Sequence, residues 1–232
     1  MIKGWPNQLY AVLLRFVQCT VILSNIRKTT IVWGADIGCG DGVAGSIIYA
    51  QPSFVNSFTV GIDISREVLL KAQMNRRYDS VILADLRQMP LKDSAFDIII
   101  SVGVLEHVPY CERGITEIAR ILKTEKFVYI TVPTDKHTNG FVLPTFFRIF
   151  NRTRSEREVL KLNRQCLIHN PFSEEKWVDL ISRSQLKIIK IEKIMPKKAL
   201  FVYDLLGKIL KMRKLAYIIS VAPTSLKLHI LS

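Results

Sequence analysis

Five short apolar runs recur between residues 31 and 133, and the stretches between several of them carry helical spacing. The runs are IVWGADI (31–37), FTVGIDI (58–64), SVILAD (80–85), AFDIIISVGV (95–104) and KFVYITVP (126–133). A run that stays apolar on successive residues, as 95–104 does, needs cover on both faces, and that is the condition of a strand in a parallel sheet. Between the runs, helices fit from about Gly42 to Ala50, over SREVLLKAQMNRRY with Ser65 as its N-cap, and over CERGITEIARILK (111–123). The last has apolar residues at 115, 118, 119, 121 and 122, one helical stripe. Strands joined through helices require right-handed crossovers, so the expected class is α/β, a mostly parallel sheet with helices on both faces.

The first run leads into VWGADIGCGDGVAGS (32–46), with glycines at Gly38, Gly40 and Gly42. Three glycines in five positions, between a strand and a helix, indicate backbone that turns tightly or lets a ligand approach closely. Asp63 ends the second run and Asp85 the third. Ligands of such sheets bind beyond the carboxyl ends of the strands, where an acid ending the second strand suits ribose hydroxyls. Asp85 can accept from an exocyclic amine. The spacing is GxGxG, whereas a dinucleotide-binding dehydrogenase shows GxGxxG.

Together these stretches resemble the class I S-adenosylmethionine-dependent methyltransferase family, in particular its type 11-like small-molecule enzymes. The matching pieces are ADIGCGDG (35–42), GIDIS (61–65), LADLRQMPLKDSAFDIIIS (83–101), LEHV (105–108), EIARILK (117–123) and ITVP (130–133), with HNPFSEEKWVDLI (169–181) as a later helix. The resemblance implies a Rossmann-like fold with S-adenosyl-L-methionine as cofactor. It implies that Asp36 and the backbone of Gly38, Cys39 and Gly40, in the turn closed by Gly42, embrace the methionyl end. It places Asp63 on the ribose, Ile64 against the adenine, Asp85 on the adenine amine with the Leu86 amide near the ring, and Ser101 and Val102 near the methyl. The family's Pro-Gly-Gly turn before strand five is replaced by Thr124-Glu125-Lys126, so an altered turn is expected there, at the rim far from the cofactor.

The chain reads as a single methyltransferase domain over 1–232: an N-terminal helix in 1–30, a cofactor-binding core in 31–133, a lid-like insertion in 134–172 and a C-terminal part in 173–232. LKIIKIEKI (186–194) alternates like a strand, and a last strand is sought in LAYIISV (215–221) or the final SLKLHIL. The run LYAVLLRFVQCTVIL (9–23) is broken by Arg15 and Gln18 and is too short to span a bilayer, so it reads as a packed helix. Cys19, Cys39, Cys111 and Cys166 form no CxxC pair, so neither zinc, another metal nor a disulfide framework is expected, and a reducing cytoplasmic setting fits.

For a hydroxyl acceptor a base must take a proton, and His107 with Glu106 beside it follows the fourth run; His137 and His169 are weaker candidates. No Asn/Asp-Pro-Pro-Tyr/Phe motif follows that run, which disfavours amino-group methylation, and no Pro-Cys follows it, which disfavours carbon-5 cytosine methylation. Lys and Arg total 33 against 20 Asp and Glu, a net charge of +13 that invites anionic partners. FVLPTFFRIF (141–150) is apolar and lies among basic residues, as does the segment from 200 to 220, a pattern suited to the anionic inner membrane surface. The expected acceptor is therefore a small molecule or a lipid-linked one, methylated at oxygen. Nucleic acid is the less favoured acceptor, a non-catalytic cofactor-binding partner protein is the other alternative, and the oligomeric state is open.

Overall fold

The computed structural model describes residues 8–26, 30–137, 140–194, 201–202 and 204–206. Its centre is a five-stranded, wholly parallel sheet in the order β3-β2-β1-β4-β5. The strands are β1 (Trp33–Ile37), β2 (Phe58–Asp63), β3 (Ser80–Leu83), β4 (Phe96–Val102) and β5 (Leu122–Thr131). The helices are α1 (Gln8–Asn25), α2 (Val43–Ile48), α3 (Arg66–Met74), α4 (Cys111–Ile121), α5 (Val142–Phe150), α6 (Arg152–Gln165) and α7 (Glu174–Ser182). The α/β class, the parallel sheet and the helix after each of the first two strands are those expected from the apolar runs.

β4 shows why its sequence is apolar throughout. Ile99 packs with Ile115, Ile118 and Trp177 of α4 and α7, whereas Ile98, Ile100 and Val102 pack with Cys19, Ile22 and Ile48 of α1 and α2. Alternate residues thus feed two cores on opposite faces, and every residue of the strand is buried. The one acid inside it, Asp97, has a structural task. Its Oδ2 accepts the amides of Val32 and Trp33, both at 3.0 Å, and Oδ1 meets Lys123 Nζ at 3.1 Å. Burial opposes its charge, but these donors win and hold the carboxyl down at about 2.

Two features differ from the sequence expectation. α4 runs directly into β5, which begins at Leu122, four residues early. β5 opens opposite Phe96, and the register then shifts so that Phe127 lies opposite Ile98, with Glu125 at φ +59°. Thr124-Glu125-Lys126 is therefore an irregularity within the strand and not a turn before it. Second, 186–194 forms no strand. It lies across a cleft of about 2500 Å³ that runs along the free edge of β5, tied by Lys190 and Glu192 to Asn25 and by Lys193 to Glu174. Its alternating residues have no ladder partner among the described residues. Both candidates for a last strand, 215–221 and the final SLKLHIL, lie outside the described residues. The insertion after β5 is a helical hairpin of α5 and α6, with the buried Ser155 hydroxyl donating to the Pro144 carbonyl at 2.8 Å.

Candidate functional site

The carboxyl ends of β1, β2 and β4 form one rim. β1 leaves the sheet into the glycine loop, which is held down by the amides of Gly38 and Cys39 donating to the Ile62 carbonyl at 2.7 and 3.0 Å. Gly38 and Gly40 both have positive φ, +68° and +57°, but for different reasons. A Cβ on Gly38 would lie 2.4 Å from Val104 Cγ2, so that glycine is required by packing. A Cβ on Gly40 would meet nothing within 4 Å, so that backbone faces open space. The Gly40 amide donates to Asp63 Oδ2 at 2.9 Å, and Asp63 Oδ1 accepts from the Ser65 amide at 2.9 Å. Asp63 thus joins the loop to the start of α3 and keeps further lone pairs for a diol. Ile64, the next residue, exposes 67% of its surface, an apolar face beside that carboxylate. Gly42, with φ +84°, closes the turn at the start of α2.

Asp36, expected to contact the cofactor, is placed differently. Its side chain is on the face of the sheet covered by α1 to α3, only 2% exposed, with Oδ2 accepting from the Tyr78 hydroxyl at 2.6 Å. Burial raises its carboxyl to about 6 against the stabilising Tyr78 bond. It supports the loop from beneath. Cys39 packs with Leu69, Ala72 and Tyr78, and burial pushes its thiol well above the usual range, so it is a small apolar filler. Asp85 is at the rim after β3, yet Arg87 grips it: Nη2 lies 2.6 Å from Oδ2, and Nε lies 3.0 Å and the amide 2.8 Å from Oδ1. These bonds lower the Asp85 pKa. A ligand amine must share that carboxylate with Arg87. The Leu86 side chain is core, packed over Gly114 of α4. Val102 likewise buries its side chain, and only its carbonyl belongs to the rim. Ser101 is fully buried, with no hydrogen-bond partner for Oγ among the described residues.

Beyond β4, Leu105–His107 is a single tight turn whose neighbour Val104 is the residue packed on Gly38. The glycine loop and this turn are therefore adjacent. Glu106 is 4% exposed, its Oε2 has no partner among the described residues, and desolvation raises its carboxyl to about 7. His107 Nδ1 lies 3.0 Å from the Leu167 carbonyl. A carbonyl can only accept, so Nδ1 carries the proton and Nε2 presents its lone pair, 3.7 Å from Glu106 Oε1. Burial lowers the His107 pKa and keeps the ring neutral. His137 is more strongly lowered by burial, to about 4. His169 is exposed and lines the cleft. That cleft opens at its carboxyl end onto Gly103, Glu106, His107 and Thr131, and none of the glycine-loop residues lines it. Among the described residues no three His, Cys, Asp or Glu side chains gather to hold a metal ion.

Several residues of the rim carry no sequence signal. From α1, Arg15 Nη1 donates to the Val102 carbonyl at 2.6 Å, and Gln18 donates to the Thr131 hydroxyl at 3.0 Å, which also accepts the Gly103 amide at 3.1 Å. Arg15 brings a part-buried guanidinium to the end of β4, suited to a carboxylate such as the methionyl one. Asn170 donates to the carbonyls of Leu105 and Val108 at 2.8 and 2.7 Å, while its amide and that of His169 donate to the Glu106 carbonyl. It holds the Leu105–His107 turn in shape. Gly40's open face, the Asp63 carboxylate, exposed Ile64 and the Arg15 cation are together the donor set that an adenosyl group with an amino-acid tail requires, so the residues fit S-adenosylmethionine.

Comparison with known proteins supports the same reading. A family model described as a methyltransferase domain matches residues 35–130. An uncharacterised protein of Methanocaldococcus jannaschii is 29% identical over 162 residues, 67% of this chain and 67% of that one. The mitochondrial ubiquinone biosynthesis O-methyltransferase of Candida albicans is 31% identical over 103 residues, 41% of this chain but only 31% of its own length. Among solved structures, the plantazolicin methyltransferase BpumL in complex with SAH matches with a TM-score of 0.57 at 18% identity, covering 90% of this chain and 80% of that one, a likeness of fold. The domain match lies over the glycine loop, Asp63, Asp85 and β4, so the stretch that builds this rim is similar to a methyltransferase domain.

Proposed function

We propose that the protein transfers the methyl group of S-adenosylmethionine to an oxygen of a small or lipid-linked acceptor. When bound, the cofactor supplies a methyl already activated by its sulfonium, so the chain's own task is to align the acceptor, exclude water and remove a proton. Alignment of this kind contributes up to about 7–11 kcal/mol. The observation that carries the reading is the pair of a buried Glu106 and a part-exposed His107 after the end of β4, two and three residues beyond the Val104 that packs on the glycine loop. His107 Nε2 takes the hydroxyl proton, its other nitrogen being fixed by Leu167. Glu106, once ionised, stabilises the imidazolium from 3.7 Å. Arg15 and Gln18 brace the facing wall of the cleft.

That relatives of this family include an enzyme named as an O-methyltransferase supports oxygen as the acceptor atom. The test is methyl transfer from labelled cofactor into fractionated lipid, RNA and small-metabolite extracts. Label is expected in the lipid or small-metabolite fraction. Label confined to RNA would refute the acceptor class, and cofactor binding without label in any fraction would point to a non-catalytic partner protein.

A further inference from the structure

The hairpin that follows β5 has an exterior unlike a soluble surface. On α5, Leu143, Phe146, Ile149 and Phe150 fall on one face and are 41%, 53%, 74% and 73% exposed. Phe146 packs edge-on against Phe147 and tilted against Phe150, at 5.5 and 5.3 Å between centroids, so the aromatic edge is one continuous patch. Its tip reads Arg148-Ile149-Phe150-Asn151-Arg152, every residue exposed, with an apolar pair between two cations. Arg154 lies over the Phe147 ring at 4.1 Å. On α6, Arg157, Lys161 and Arg164 follow one another at helical spacing and, with Leu160 and Gln165, line a shallow groove of about 370 Å³. None of these three cations makes an ion pair among the described residues. Residues 141–166 hold six basic side chains against two acidic ones.

Apolar side chains at a hairpin tip, with Arg157, Lys161 and Arg164 unpaired along α6 among the described residues, match the two requirements of an interfacial element: a wedge that enters the headgroup boundary and charges that meet anionic lipid. No helix among the described residues is long and apolar enough to cross a membrane, so the contact is with one surface. We propose that the α5–α6 hairpin docks the protein on an anionic bilayer surface, with Phe146, Ile149 and Phe150 entering the interface and Arg157, Lys161 and Arg164 engaging lipid phosphates. The chain that leaves α6 supplies the Leu167 carbonyl to His107 and Asn170 to the turn around Glu106. A docked hairpin therefore sets the mouth of the acceptor cleft against the lipid. This deepens, and for its purpose rests on, the reading of a lipid-linked acceptor, although vesicle binding itself requires no turnover.

The test is co-sedimentation of the full chain with vesicles of phosphatidylcholine and phosphatidylglycerol in a three-to-one mixture, against vesicles of phosphatidylcholine alone. Binding is expected to the mixed vesicles only and to fall as salt rises. The triple variant R157Q/K161Q/R164Q should lower the partition coefficient on the order of a hundredfold, at about fivefold per cation lost near the surface. F146S/I149S/F150S should abolish retention. All six residues are away from the cofactor rim, so both variants should keep wild-type calorimetric binding of S-adenosylhomocysteine. That readout separates the two ideas: lost vesicle binding with intact cofactor binding touches only the docking surface, and the reverse touches only the methyltransferase reading. Wild-type protein left in the supernatant with mixed vesicles, equal binding to neutral vesicles, or a concentration-dependent dimer that the serine variant abolishes while vesicle binding persists would each overturn the proposal.

Discussion

Gly38 and Gly40 are two residues apart, share left-handed backbone, and should respond to alanine in opposite ways. An L-residue at such φ costs roughly 1–2 kcal/mol, a cost common to both variants. For Gly38→Ala the new methyl would lie 2.4 and 2.6 Å from the two γ-carbons of Val104, a β-branched side chain with little freedom to retreat. Overpacking adds about 1–3 kcal/mol, so the total loss is roughly 2–5 kcal/mol. In a domain of this length each kcal/mol moves Tm by about 2–4 °C. Gly38→Ala should therefore lower Tm by roughly 4–20 °C, and Gly40→Ala by no more than about 8 °C, because its methyl meets no protein atom within 4 Å. The order reverses for binding. The Gly40 methyl occupies the space the cofactor is to fill, and about 1–3 kcal/mol of crowding is a loss of roughly five- to 150-fold in affinity. The assay pairs circular-dichroism melts with calorimetric titration of S-adenosylhomocysteine, comparing each variant with the wild type. A Gly40→Ala protein that binds with wild-type affinity, or a Gly38→Ala protein as stable as Gly40→Ala, would refute the assignment of one glycine to packing and the other to ligand.

Asp63→Ala removes the acceptor for the Gly40 and Ser65 amides together with the ribose partner, so calorimetry should show cofactor affinity reduced at least a hundredfold and melts a lower Tm, at about 1.5–3 kcal/mol per charge-assisted bond. His107→Ala should slow turnover by roughly 10²–10⁴ with the cofactor Kd unchanged; steady-state kinetics showing an unaltered kcat would exclude it as the base. Glu106 has a pKa raised from 4.5 to about 7, so the folded chain holds a proton that the unfolded chain releases, and stability falls as pH climbs through that window. Denaturant unfolding should show Glu106→Gln gaining up to about 3 kcal/mol over wild type at pH 8 and little at pH 4. Arg87→Ala should leave the fold intact and preserve or strengthen cofactor binding by freeing Asp85, whereas a severe loss of binding would mean that Arg87 itself meets the ligand.

The sheet was legible because β1, β2 and β4 are buried on both faces and must be apolar residue after residue, with glycine or aspartate where they reach the rim. The onset of β5 was not, because a helix passes into a strand with no turn residue between, and the irregularity at Glu125 leaves no glycine or proline as a signal. The alternation in 186–194 is a true local pattern, but pairing depends on what lies beside it, and there the cleft separates it from β5. That Asp63 and the Gly40 backbone meet at one rim could be read from spacing, since their neighbours are fixed by the strand ends. Arg15, Gln18, Tyr78 and Asn170 could not, because each acts across a long sequence separation through tertiary packing. Asp36 misled for the same reason: its place before the glycines says nothing about which face of β1 it takes, and the pleat turns it toward Tyr78. The grip of Arg87 on Asp85 was within reach, because the two residues are only two apart in one loop.

The shape of the crevice is tested most directly by a crystal structure of the protein grown with S-adenosylhomocysteine. The ligand should lie over Gly40 with its ribose hydroxyls on Asp63, its adenine against Ile64 and its carboxylate toward Arg15. Density for the ligand elsewhere, or a ribose that leaves Asp63 bonded only to the amides of Gly40 and Ser65, would contradict it.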